Sequence, residues 1–133
     1  MQKFLILFVT FVFSLMASVG FAEKAHDLKL KDIQFCTAIE NKNPSGVADV
    51  FVNTTERIYC YTTLEGAAEP VMVWHLWYHN DQAKASIRLG IKGSHWRTWS
   101  SKKIIPGWSG KWRVDVVKAD GTILGSKKFI IKP

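Results

Sequence analysis

The chain lacks the short motifs that would announce a reaction. It has no G-x-S-x-G, no H-E-x-x-H, no P-loop and no glycine run able to cradle a phosphate. Its acidic residues, Asp49, Glu56, Glu65, Glu69, Asp81, Asp115 and Asp120 among them, lie in separate segments, so no paired-carboxylate site is written into the sequence. A Ser94 or Ser100 dyad with His95 has no evident third group to orient it. A catalytic role is therefore not expected. No amphipathic helical stretch follows the N-terminal segment, and there is no internal repeat or low-complexity tract, which excludes bundles, solenoids and disordered linkers.

Cysteine is scarce as well. Cys36 and Cys60 form no C-x-x-C and have no His or acidic cluster beside them, so a redox or metal pair is disfavoured. His75 and His79 share a strand face at a separation of roughly 13 Å, too far to chelate one ion. No metal and no cofactor are expected.

What is present begins with a leader. Residues 1–22 carry Lys3, an apolar run from Phe4 to Val19, and small Gly20 and Ala22 before a possible cut, the pattern of a secretory signal peptide cleaved after Ala22. If it were retained, the same run would serve as a membrane anchor, the one membrane contact foreseen. The expected location is the periplasm or the cell exterior. In such a compartment Cys36 and Cys60 are expected to form a structural disulfide, closing a loop of about 25 residues and contributing about 3.5 kcal/mol on the chain-entropy account.

Residues 23–133 suit a single domain. Runs rich in Val, Ile, Thr, Tyr, Phe and Trp recur between turn residues, predicting strands near 30–39, 57–65, 71–79, 84–91, 95–100, 111–118 and 123–132, with a short edge piece near 49–53. The segment 40–49 has loop chemistry, and Asp120-Gly121 marks a hairpin. Asn53-Thr-Thr is a formal glycosylation acceptor read here as a polar turn. The fold expected is all-β: an immunoglobulin- or fibronectin-like antiparallel sandwich of about seven strands.

All six tryptophans fall between Pro70 and Trp112. Alternation assigns their faces. In residues 71–79 the set Met72, Trp74, Leu76 and Tyr78 is uniformly apolar and is expected inward, which sends His75 and Trp77 outward. Trp112, Val114 and Val116 are expected inward, as are Ala85, Ile87, Leu89 and Ile91, with Arg88 outward. Trp96 and Thr98 inward leave His95, Arg97 and Trp99 outside. One outer face would then collect His75, Trp77, Arg97, Trp99 and Arg113. Indole rings offer flat apolar area to a sugar, and guanidinium groups offer charge-assisted hydrogen bonds. With a net charge of +7, this face points to a non-catalytic binding module for a cell-envelope glycan or polyanion. The competing reading is a structural domain, or a module that binds another envelope protein, whose Trp and Arg form an intramolecular ladder, and a hydrolase is the least favoured alternative. No specific nucleic-acid partner is expected.

The order C-T-A-I-E-N-K-N-P, R-I-Y-C-Y-T, V-W-H-L-W-Y-H, W-R-T-W-S-S-K-K-I-I-P and G-K-W-R-V-D-V-V-K-A-D-G-T-I-L, closed by K-K-F-I-I, resembles the bacterial domain-of-unknown-function family 2914. The resemblance runs from about Cys36 to the end and implies a small extracytoplasmic β-domain with no assigned activity. It carries the motif positions Cys36, Cys60, His75, Trp77, Trp96, Arg97, Ser100, Trp112 and Arg113 without roles.

Overall fold

A computed structural model describes residues 27–133. The expected signal segment, 1–22, lies outside the described residues. Ten strands follow in chain order: β1 (Lys29–Cys36), β2 (Ala38–Glu40), β3 (Asn43–Ser45), β4 (Val50–Phe51), β5 (Arg57–Glu65), β6 (Val71–His79), β7 (Gln82–Ile91), β8 (His95–Lys103), β9 (Gly110–Lys118) and β10 (Ile123–Ile131). Seven of them have eight residues or more and build the sandwich. One sheet has the order β1-β5-β8 and the other β4-β10-β9-β6-β7, while β2 and β3 make a separate hairpin. All pairings are antiparallel except β4 with β10. The chain crosses between sheets from β4 to β5, β5 to β6, β7 to β8 and β8 to β9, giving an immunoglobulin- or fibronectin-like β-sandwich.

The expected loop at 40–49 is better ordered than its composition suggests. Asn41 and Lys42 both take positive φ, 51° and 64°, and turn β2 back on β3. Asn80 and Asp81 do the same between β6 and β7, with φ of 49° and 64°. Asn and Asp tolerate this region because their short polar side chains bond locally. At the third turn Asp120 accepts the Thr122 N–H at 2.9 Å, and that bond holds its carboxyl below the ordinary range.

The space between the sheets is filled by aromatic side chains. Phe129 touches four rings, Phe35 at 4.4 Å, Trp112 at 5.7 Å, Phe51 at 5.9 Å and Trp77 at 6.2 Å between centroids. Val73, Val114, Val116, Ile58, Leu64 and Ile91 close around them. Burying each large apolar side chain contributes about 1.5–3 kcal/mol, so this cluster is the main term holding one sheet on the other. At the β1/β10 edge Lys127 reaches across to the Ile33 carbonyl at 3.1 Å. There the strands come so close that a Cβ on Gly125 would meet Leu30 Cδ2 at 2.5 Å.

The cysteines correct an expectation. Cys36 and Cys60 are free and buried, and the bridge between them is not formed. Register supplies the reason: Cys60 pairs with Phe35 and Cys36 with Tyr59, so the two are one step out of line. Successive residues of a strand point to opposite faces. Cys60 therefore joins the core, whereas Cys36 lies on the outer side, where β2 and β3 follow. Burial raises the pKa of both thiols, which keeps them protonated and unreactive.

Candidate functional site

The five residues expected on one face are distributed over three places. His75 and Trp77 are fully buried between the sheets, which reverses the expected parity of β6. Met72, Trp74, Leu76 and Tyr78 are the outer set, and Met72 is 44% exposed. Arg97 and Trp99 stand on the outer face of the three-stranded sheet, as expected for β8. Arg113 stands on the outer face of the five-stranded sheet. Trp77 and Arg97 thus belong to different sheets, and the single collecting face does not exist.

The reversal of β6 comes from polar bonding that alternation does not encode. Thr62 donates its hydroxyl hydrogen to the Thr98 carbonyl at 3.3 Å, so its oxygen accepts from His75 Nε2–H at 3.2 Å. His75 Nδ1 then accepts from the Ser100 hydroxyl at 2.6 Å, and Ser100 Oγ in turn accepts from Trp77 Nε1–H at 3.1 Å. Each donor finds one acceptor, and the chain of bonds fixes a neutral, Nε2-protonated imidazole. It also ties β6 of one sheet to β5 and β8 of the other. Burial lowers the His75 pKa to about 4. Ser100 is only 5% exposed and pairs with His75, not with His95. Its hydroxyl is committed within the core.

The outer face of the three-stranded sheet is different in character. Tyr61 and Trp99 are direct cross-strand partners, and their rings stack at 5.8 Å with planes 10° apart. The Tyr61 hydroxyl donates to the Lys42 carbonyl at 2.7 Å, pinning the β2–β3 turn beside the stack. Arg97 is exposed and donates to the Asn43 side-chain oxygen at 3.0 Å. Arg57, at the other end of the face, donates to Ser101 Oγ at 2.7 Å. Among the described residues neither arginine has a carboxylate partner. Glu65, at Arg97's end of the face and paired with His95, is engaged by Lys31 at 3.4 Å and His95 at 3.5 Å.

Arg113 sits in the opposite electrostatic setting. Its guanidinium lies 4.3 Å from the Tyr78 ring centroid and bonds Asp81 at 2.8 Å and Asp115 at 3.0 Å. Desolvation opposes the charge, but the two carboxylates outweigh it and raise the Arg113 pKa. Ser126 donates to the same Asp115 oxygen at 2.6 Å. A groove of about 450 Å³ opens beside this group, lined by Asn80, Asp81, Lys111, Arg113 and Lys128 among others.

Sequence reasoning did not single out Trp108. The turn at Pro106-Gly107 delivers it, and the backbone bond from its N–H to the Ile105 carbonyl at 3.1 Å closes that turn. Its ring packs at 5.9 Å from Trp112 and 6.3 Å from His79, while the ammonium groups of Lys102 and Lys84 lie 4.7 and 5.2 Å from its centroid. Its signal is the W-x-x-x-W spacing to Trp112, whose Nε1–H donates to the Trp108 carbonyl at 2.8 Å. Among the described residues no three of His, Cys, Asp and Glu stand together as a metal site.

Residues 71–131 match the family described as "Protein of unknown function (DUF2914)". The match covers 61 of the 133 residues. The match begins at the first residue of β6 and ends at the last of β10, so the matched residues supply the whole five-stranded sheet except β4, together with β8. It holds His75, Trp77, Arg97, Trp99, Trp108 and Arg113, while Cys36 and Cys60 lie upstream of it. No curated protein matches this chain. Among solved structures the chain is similar to the "Crystal Structure of Bifidobacterium adolescentis GH3 beta-glucosidase", with TM-score 0.43 and 6% identity over 80% of this chain and 17% of that one. A likeness at that level carries no argument about activity.

Proposed function

We propose that the protein is an exported, non-catalytic binding module that contacts an anionic cell-envelope glycan through the outer face of its three-stranded sheet. The observation that carries this reading is the Tyr61–Trp99 stack flanked by Arg97 and Arg57, two arginines without carboxylate partners among the described residues. The half-buried Trp99 ring, backed by the buried Tyr61, offers a flat surface to a sugar ring, and the guanidinium groups supply charge-assisted bonds to carboxylate or phosphate oxygens. Arg97 donates to a neutral amide, an interaction that an anion replaces at little cost. The net charge of +7 favours encounter with a polyanion. Arg113, already held by two aspartates, is outside this surface.

The test is a titration of the protein with lipopolysaccharide and with peptidoglycan fragments, followed by tryptophan fluorescence. A saturable change that disappears in Trp99→Ala and Arg97→Gln, both still folded by circular dichroism, is the expected result. An unchanged response in those two variants, or none in the parent protein, rejects the surface.

A further inference from the structure

The two lateral sides of the sandwich differ in how their strand edges end. On one side the edges are closed. There β4 pairs with β10 at Ile130 and Ile131, the Phe35 carbonyl of β1 accepts the Ala48 N–H at 3.1 Å, and the Ile33 carbonyl accepts the Lys127 ammonium at 3.1 Å. On the other side β7 is bonded to β6 alone. Beyond that ladder no residue of 82–91 makes a backbone hydrogen bond among the described residues, so a row of N–H and C=O groups along this strand has no protein partner. The ladder is regular from Ala85 to Ile91, and Lys84 is the extra residue of a bulge opposite the Trp77–Tyr78 step. A regular free edge of this kind is a template for the addition of another strand.

Register gives this edge two unlike rows. Ala85, Ile87 and Leu89 lie opposite Trp77, His75 and Val73 and pack half-buried against the core, so apolar surface reaches the rim of the sheet. Ser86, Arg88 and Gly90 lie opposite Leu76, Trp74 and Met72 on the outer face. At Gly90 the missing side chain leaves a gap, where a Cβ would stand 3.6 Å from Lys92 Cε and 3.8 Å from Met72 Sδ. Arg88 and Lys92 are exposed on either side of that gap, and among the described residues neither has a carboxylate partner. The chain holds no Asp or Glu between Asp81 and Asp115 to supply one locally. A strand laid on this edge would bond its backbone to β7, cover Ile87 and Leu89 with every second side chain, and set the alternate ones beside Arg88 and Lys92. A second copy of β7 is a poor occupant, because it would place these cations against their own counterparts. The other free edge, β8, lacks the apolar row, since its inner set is Trp96, Thr98, Ser100 and Lys102. We infer that the β7 edge docks an extended segment of another protein in which apolar residues alternate with Asp or Glu. Arg88 belongs to the five-stranded sheet, so this site is separate from the glycan surface on the three-stranded one.

The experiment follows the backbone amide resonances and hydrogen exchange of residues 85–91 in protein purified from cells expressing the full chain. The probes are a short capped peptide in which valine alternates with glutamate, the same peptide with lysine for glutamate, and dextran sulfate as a polyanion without a peptide backbone. The valine–glutamate peptide should shift these amides saturably and slow the exchange of those on the free side, while the lysine peptide does neither and dextran sulfate leaves the exchange unchanged. Arg88→Glu, an exposed change on the outer row, should weaken the glutamate peptide about five- to tenfold, because an attractive cross-strand pair becomes a repulsive one, and should admit the lysine peptide. Equal binding of both peptides by the parent, no change of preference in Arg88→Glu, or no protection by any peptide would overturn the site. Protection by dextran sulfate equal to that of the peptide would replace it with a polyanion track, and protection that rises with protein concentration alone would give the edge to a second copy. Arg88→Glu leaves Trp99 and Arg97 intact, so failure here is separable from failure of the proposed glycan face.

Discussion

Arg113 and Arg97 belong to similar-looking motifs, G-K-W-R-V and W-R-T-W, yet the two sheets use them in opposite ways. On the five-stranded sheet Arg113 is placed over Tyr78 and held by Asp81 and Asp115. On the three-stranded sheet Arg97 is exposed, two residues from Trp99 on the same face, and bonded only to an amide. The first arrangement spends its charge inside the fold. The second leaves it without a carboxylate among the described residues. What separates them is the local supply of carboxylate, because the Asn80-Asp81 turn and Asp115 converge on Arg113, whereas Glu65, two residues along from Arg97's cross-strand partner Thr63, is engaged by Lys31 and His95. An aromatic and an arginine in one motif therefore do not decide whether the charge is neutralised; the surrounding acid does.

The comparison breaks most completely if the common core is removed. Phe129→Ala should cost about 3–5 kcal/mol, since it vacates a site touched by four rings, and chemical denaturation should show both outer faces lost in one transition. Separate transitions for the two sheets would show that they do not share one core.

Acid should loosen the tie between the faces next. His75 has a folded pKa near 4, below its ordinary value of 6.5, so the neutral form is the one the fold favours. Its stabilising term is fully present above pH 6.5, declines as pH falls and is lost below about 4, a total on the order of 3 kcal/mol. Thermal melts of the parent and of His75→Gln between pH 7 and 4.5 check this, with the parent losing stability more steeply. Parallel curves would refute it.

The two arginines then sharpen the contrast directly. Arg113→Gln should lower stability by about 1 kcal/mol, because Asp115, 7% exposed, loses its charged partner, and should leave glycan titrations unchanged. Arg97→Gln should alter stability by less than about 0.5 kcal/mol while weakening those titrations. Urea midpoints measured beside binding curves separate the two, and the reverse pattern would exchange the roles assigned here.

Strand positions were legible because β-branched and aromatic runs end at Asn, Asp, Gly and Pro, and the seven long strands fall close to the expected ranges. Parity was legible in β9, where one alternate set is visibly polar, and less so in β8, where each set carries one tryptophan among polar residues. It was not legible in β6. That central strand carries large apolar residues on both faces, and its outer set looks the more hydrophobic of the two. The inward set wins because His75 and Trp77 meet Ser100 and Thr62, hydrogen-bonding partners 13 to 25 residues away in the chain. Likewise the cysteine spacing permitted a bridge that a one-residue offset between β1 and β5 prevents. Trp108 meets Lys84 of β7 and Lys102 of β8, strands of different sheets, a juxtaposition that no local pattern contains.

The sequence by itself determined an all-β sandwich, its strand order along the chain and its surplus of positive charge, because periodicity, turn chemistry and composition are local properties. Only the tertiary structure decided which side of β6 is interior, which arginine is neutralised and which tryptophan is ringed by lysines. Those outcomes depend on cross-strand register and on polar partners brought together from distant segments, and neither is contained in the pattern of any one strand.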